Sequence, residues 1–115
     1  IIDKNNFSQL LNNITVSEPL SFLDMINLEQ NAKLIITDSG GVQKEAFFFQ
    51  IPCLTIRDET EWVETVELGC NSIIGANYEK IISYSQKLFS SDCFPKTLLN
   101  SYGDGDAANK IISFL

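Results

Sequence analysis

Apolar and polar positions along this chain alternate between short β-like runs and longer amphipathic stretches, the rhythm that βα units require. Residues 7–11 predict a helix and 14–16 a short strand. A helix follows over 21–30. Phe22, Leu23, Met25, Ile26 and Leu28 form a broad apolar stripe there, and Pro19 and a capping Ser21 supply the start. The strongest strand is 33–37, Lys-Leu-Ile-Ile-Thr, bounded by Asn31 and by Asp38-Ser-Gly-Gly41. Next come a helix over 41–49 ending at Gln50, a strand over 52–56 and a helix over 59–68. Trp62, Val63 and Val66 of that helix are expected inward, with Gly69 as its stop. A strand at 73–74, a helix over 79–89, a turn-rich stretch over 101–105 and a short helix over 106–114 complete the order. The pattern predicts a Rossmann-like α/β fold with a doubly wound parallel sheet, whose ligands sit at the carboxyl ends of the strands.

Composition narrows the classes. The 115 residues suit one domain. The longest apolar runs, 34–36 and 46–49, are far too short to span a bilayer, and no signal-peptide order opens the chain. The charge of −7 argues against general nucleic-acid binding, which needs a basic footprint. It leaves a phosphorylated ligand open, because backbone amides and a helix dipole hold phosphate without net basic charge. Cys53, Cys70 and Cys93 form no CxxC pair and are odd in number, which favours unpaired thiols in a reducing compartment. With no histidine, the chain has no Ser-His-Asp or Cys-His pair. The opening Ile1 reads as the interior of something longer.

The segment that can carry chemistry is Thr37-Asp-Ser-Gly-Gly41, where a strand hands over to a helix. Glycines there let backbone approach a ligand with no Cβ in the way, and the helix start offers free N–H groups and a positive dipole end. Ser39 adds a hydroxyl. Glu45 stands about one turn on, where a carboxylate can take the two hydroxyls of a ribose. Together they make a candidate nucleotide-diphosphate site. Alone, the same residues also suit a plain turn and N-cap, with Glu45 on a solvated face; this is neither GxGxxG nor a P-loop.

The company of the motif decides between the two. Asp38-Ser-Gly-Gly-Val-Gln-Lys-Glu-Ala46, then Ile51-Pro-Cys-Leu-Thr-Ile-Arg-Asp-Glu-Thr-Glu61, closely resembles the signature of the non-hydrolysing UDP-N-acetylglucosamine 2-epimerases. Glu67-Leu-Gly-Cys-Asn71, Gly75 and Asn100-Ser-Tyr-Gly-Asp-Gly105 fit the same family in the same order, and Glu18-Pro-Leu-Ser-Phe-Leu-Asp24 resembles its segment beside the uracil. The resemblance implies that residues 1–115 are the C-terminal, nucleotide-binding half of a GT-B-like two-domain enzyme, with the N-terminal catalytic domain absent. It implies Ser39, Gly40 and Gly41 on the UDP diphosphate, Glu45 on the ribose, and Leu20 and Met25 near the uracil. No catalytic residue, metal or cofactor is implied within this chain.

The family reaction inverts C2 of a UDP-sugar through elimination and re-addition of UDP, in the cytoplasm, and the resemblance suggests a homodimer of the full-length protein. One departure stands out. Trp62 occupies a position where many members carry arginine, and the run from Thr60 to Glu67 resembles a subgroup acting on UDP-2,3-diacetamido-2,3-dideoxyglucuronate. Arg57 and Trp62 are therefore candidate cleft residues; the plainer alternatives are an ion pair for Arg57 and core packing for Trp62. Of the two sugars, UDP-N-acetylglucosamine, converted to UDP-N-acetylmannosamine, is the expected substrate because it marks the broader class, with the diacetamido-dideoxyglucuronate as the alternative. A GT-B glycosyltransferase nucleotide domain and a non-catalytic UDP-sugar binding module are the competing classes. The acidic run Asp58, Glu59, Glu61, Glu64 and Glu67 reads as solvated surface.

Overall fold

A computed structural model describes residues 13–89 and 102–114. The elements run α1 (Phe22–Gln30), β1 (Ile35–Thr37), α2 (Gly40–Phe49), β2 (Cys53–Thr55), α3 (Val63–Glu67), β3 (Asn71–Ile73), α4 (Tyr78–Phe89) and α5 (Ala107–Ile112). The three strands form one parallel sheet in the order β1-β2-β3, with α2 and α3 as the crossovers. The register sets Ile35 beside Cys53 and Cys53 beside Asn71, and Thr37 beside Thr55 and Thr55 beside Ile73. Because side chains alternate along a strand, these residues share one face, and it is the face that α2 covers. Ile35, Ala46 and Cys53 are its buried core, flanked by Ala32, Val42 and Ile51.

Local chemistry explains the ends. The Ser21 hydroxyl accepts from the Asp24 amide and caps α1, and the Ser39 hydroxyl accepts from the Val42 amide and caps α2. Gln50 closes α2 in the left-handed region at φ 60, its amide donating back to Ala46 and Phe47.

Three expectations need correction. Residues 14–16 form no strand: Ile14 and Val16 are exposed on irregular chain, because β-propensity without a paired neighbour makes no ladder. The helix after β2 starts at Val63, not 59, because the Thr60 hydroxyl accepts from the Trp62 amide and holds that stretch as a turn. Val63 is exposed, and the buried residue of α3 is Thr65. The third strand is Asn71–Ile73, set earlier than its apolar pair suggests. The expected helix over 7–11 lies outside the described residues.

The apolar stripe of α1 also behaves unexpectedly. Phe22, Leu23, Met25 and Leu28 are exposed, and the side chain that α1 buries is Glu29, at 3% exposure.

Under α2 the interior turns polar. Gln43, Thr55, Thr65 and Asn71 are all buried. The Thr55 hydroxyl donates to Asn71 Oδ1 at 2.8 Å, and Asn71 Nδ2 donates to Gln43 Oε1 at 3.2 Å and Thr65 Oγ1 at 3.3 Å. The Thr60 hydroxyl donates to the same Gln43 oxygen at 2.6 Å, and the Thr65 hydroxyl donates to the Trp62 carbonyl at 2.7 Å. Cys53 and Cys70 are buried free thiols, and burial pushes each up to about 11, so both stay neutral at physiological pH.

Asn71 is the hub of this network, and truncating it strands several buried partners at once. Asn71→Ala is expected to lower unfolding free energy by about 3 kcal/mol, read from urea denaturation. A loss below about 0.5 kcal/mol would show that the network does not hold α2 to the sheet.

Candidate functional site

The site is built where β1 ends. Thr37 Oγ1 accepts from the Ser39 amide at 3.0 Å and shapes the turn out of the strand. Ser39 then caps α2, and its hydroxyl proton stays available to a ligand. The amides of Gly40 and Gly41 sit in the first turn, where no intrahelical acceptor exists. Ser39 and Gly41 are exposed and Gly40 is half-buried, so the positive end of α2 opens outward. This is the candidate diphosphate cradle, with Glu45 half-buried a turn further along.

Gly40 is fixed by close approach. A Cβ on it would run into the Glu61 carboxylate and lie 3.3 Å from Trp62 Nε1. Glu61 is held from its other side by Arg57, with Nη1 at 3.2 Å from its oxygen. The structure thus brings Arg57, Glu61 and Trp62 to the α2 N-terminus from the loop after β2. Arg57 makes the ion pair, and Trp62 does more than pack. Its buried Nε1 has no partner among the described residues. Lys44 Nζ sits 4.2 Å above its ring centroid and 4.5 Å from that of Tyr102. Tyr102 packs edge-on against Phe47 at 5.2 Å and Trp62 at 6.3 Å, so the turn-rich stretch before α5 docks on α2 beside the site.

The uracil candidates separate. Met25 lines an open cavity of about 260 Å³ together with Leu28, Glu29, Ala32, Ile35, Ile36, Thr37 and Val42. Leu20 is exposed ahead of α1 and is not among that lining. Sequence reasoning missed Lys44 and Glu29. The cation on Trp62 has a signal, a lysine beside the glutamate of the motif. Glu29 has none, because it sits at the end of a stripe that reads apolar.

Comparison with known proteins adds a family to this geometry. The family model described as UDP-N-acetylglucosamine 2-epimerase matches residues 2–115. A UDP-N-acetylglucosamine 2-epimerase homolog of Methanococcus maripaludis is 46% identical over 103 residues, covering 90% of this chain and 28% of its own length. The UDP-2,3-diacetamido-2,3-dideoxy-D-glucuronate 2-epimerase of Pseudomonas aeruginosa is 43% identical over 105 residues, covering 89% of this chain and 28% of its own. The crystal structure of Methanocaldococcus jannaschii UDP-GlcNAc 2-epimerase in complex with UDP-GlcNAc and UDP superposes with a TM-score of 0.77 at 37% identity, covering 99% of this chain and 32% of that one. This chain belongs to the UDP-N-acetylglucosamine 2-epimerase family, and its parallel α/β fold is the family's. It spans about 30% of the length of the relatives it matches. No helix among the described residues is long and apolar enough to cross a membrane.

Trp62 is the chain's one tryptophan and reports on the Gly40 contact directly. Gly40→Ala is expected to displace Glu61 and the indole, shifting Trp62 emission while far-UV circular dichroism stays unchanged. An unmoved emission spectrum would mean that the indole does not lean on Gly40.

Proposed function

We propose that this chain is the UDP-binding, C-terminal half of a 2-epimerase that inverts C2 of a UDP-linked N-acetylated sugar. The observation that carries the reading is the open, amide-rich start of α2 at the carboxyl end of β1, with Glu45 one turn on. Ser39, Gly40 and Gly41 hold the diphosphate, Glu45 takes the ribose hydroxyls, and Met25 lies against the uracil, with Leu20 contributing backbone. Elimination leaves charge on the departing UDP, and preorganised amides at a helix start stabilise charge that develops there. The proton at C2 needs an acid and a base that this reading assigns to a domain outside these residues. The 115-residue chain alone is therefore inactive, and the full-length enzyme, a cytoplasmic homodimer, turns over.

UDP-N-acetylglucosamine is the leading substrate. The second reading, the diacetamido-dideoxyglucuronate, is favoured by the Lys44–Trp62 stack in place of a free arginine and by the Pseudomonas aeruginosa relative. Comparing kcat/KM for the two sugars on the full-length protein separates them.

Calorimetric titration of the full-length protein with UDP tests the site. Ser39→Ala and Glu45→Gln are each expected to weaken UDP by about tenfold, the loss of a charge-assisted hydrogen bond. ADP should bind far more weakly than UDP. Wild-type affinity in both variants would remove the nucleotide from this end of α2.

A further inference from the structure

A carboxylate of the chain itself sits where the proposed reading needs an anion. Gly40 opens α2, and a Cβ on it would run into the Glu61 carboxylate, so a Glu61 oxygen fills the space that the missing side chain leaves. Trp62 Nε1 lies 3.3 Å from the same point, and its N–H is buried with no hydrogen-bond partner among the described residues. Arg57 Nη1 reaches the other Glu61 oxygen at 3.2 Å. A helix start, a guanidinium and an indole N–H thus converge on one side chain.

The parts of this corner are held with unequal firmness. The Trp62 amide donates to Thr60 Oγ1 at 3.1 Å, and its carbonyl accepts from Thr65 Oγ1 at 2.7 Å. Its ring packs edge-on against Tyr102 and carries the Lys44 ammonium on its face. The Glu61 and Arg57 side chains bond only to each other among the described residues, and they are 49% and 38% exposed. An exposed ion pair of this kind is weak, so Glu61 swings aside at small cost. The Trp62 N–H is the opposite case: a buried donor without an acceptor is costly, and an oxygen placed within its reach relieves that cost. Two anions cannot share one helix start cheaply, because a phosphate oxygen on the Gly40 and Gly41 amides meets the Glu61 charge at close range.

We propose that Glu61 is a built-in occupant of the anion seat at the α2 start, and that a phosphate oxygen of the ligand displaces it and takes over the Trp62 N–H and the Arg57 guanidinium. The inference rests on the diphosphate assignment of Ser39, Gly40 and Gly41. Trp62 is then a binding residue through its N–H. Gly40 is needed because a Cβ there would close the seat to side chain and ligand alike. In the exchange Glu61 turns to solvent, and Arg57 passes from one anion to the next without losing a partner.

The test is titration of the full-length protein with UDP and, separately, with uridine, which has the same base and ribose without the phosphates. Removing the occupant by Glu61→Ala should tighten UDP about threefold, and Glu61→Gln, which keeps the shape without the charge, should act in the same direction. Trp62→Phe keeps an aromatic face for Lys44 but has no N–H, and it should weaken UDP about tenfold. Uridine should bind wild type and all three variants alike. Heteronuclear NMR reads the exchange itself: the indole N–H resonance that Trp62→Phe removes should move downfield with UDP and stay still with uridine. The displacement is wrong, and the diphosphate site stands, if Ser39→Ala weakens UDP while neither Glu61 variant tightens it, Trp62→Phe leaves it unchanged or the indole resonance ignores it. Parallel changes in uridine affinity would assign the effects to packing and overturn the displacement as well. If Ser39→Ala leaves UDP at wild-type affinity, the diphosphate is not at this helix start and both readings fall.

Discussion

The start of α2 is tied to the sheet and to the loop after β2 by one chain of hydrogen bonds, from Thr55 through Asn71 to Gln43 and Thr60. The apolar core on the α2 face is small, so α2 is not located by hydrophobic burial alone. Gln43 lies in the first turn of α2, four residues beyond Ser39, and its oxygen is gripped both by β3 and by the loop after β2. That grip sets how far the start of α2 stands from Glu61 and Trp62. The loop is tied in turn, because Thr60 accepts from the Trp62 amide and Thr65 donates to the Trp62 carbonyl. Polar side chains suit this task better than apolar ones. Hydrogen bonds fix direction as well as distance, and a partly broken network is penalised more heavily than a loosened contact.

This arrangement explains which parts of the structure were legible in the sequence. β1 and α2 carry strong local signals, a β-branched run and a Ser-Gly-Gly start, and local chemistry alone places them to within two residues. The grouping of Ser39, Gly40 and Gly41 at a strand end was legible for the same reason. The helix after β2 was misread because the hydroxyl of Thr60 outcompetes helix formation, and that competition depends on Gln43, seventeen residues away in sequence. The early start of β3 has a similar cause: Asn71 reads as a turn former until its amide is needed beneath α2. Glu29 was invisible because its burial comes from packing across the α1–α2 joint and from no periodicity in its own helix. Residues 14–16 show the converse: strand propensity with no neighbour to pair with leaves irregular chain.

The chain carries net charge −7, and the Glu61 carboxylate stands directly against Gly40. In the site proposed for the diphosphate, Ser39 and Gly41 therefore stand beside a carboxylate already seated at the positive helix end. Arg57 offsets that charge through its ion pair, although an exposed pair of this kind is worth under about 1 kcal/mol on its own. Its value here is positional: Arg57 grips one Glu61 oxygen while the other stands against Gly40. Lys44 supplies the second cation, and the faces of Trp62 and Tyr102 confine it beside α2 where a free lysine would sweep through solvent. In a chain that is acidic overall, the anion binding proposed here depends on such local arrangement. The Trp62 ring holds the Lys44 ammonium close by while its N–H edge stands beside the Gly40 turn.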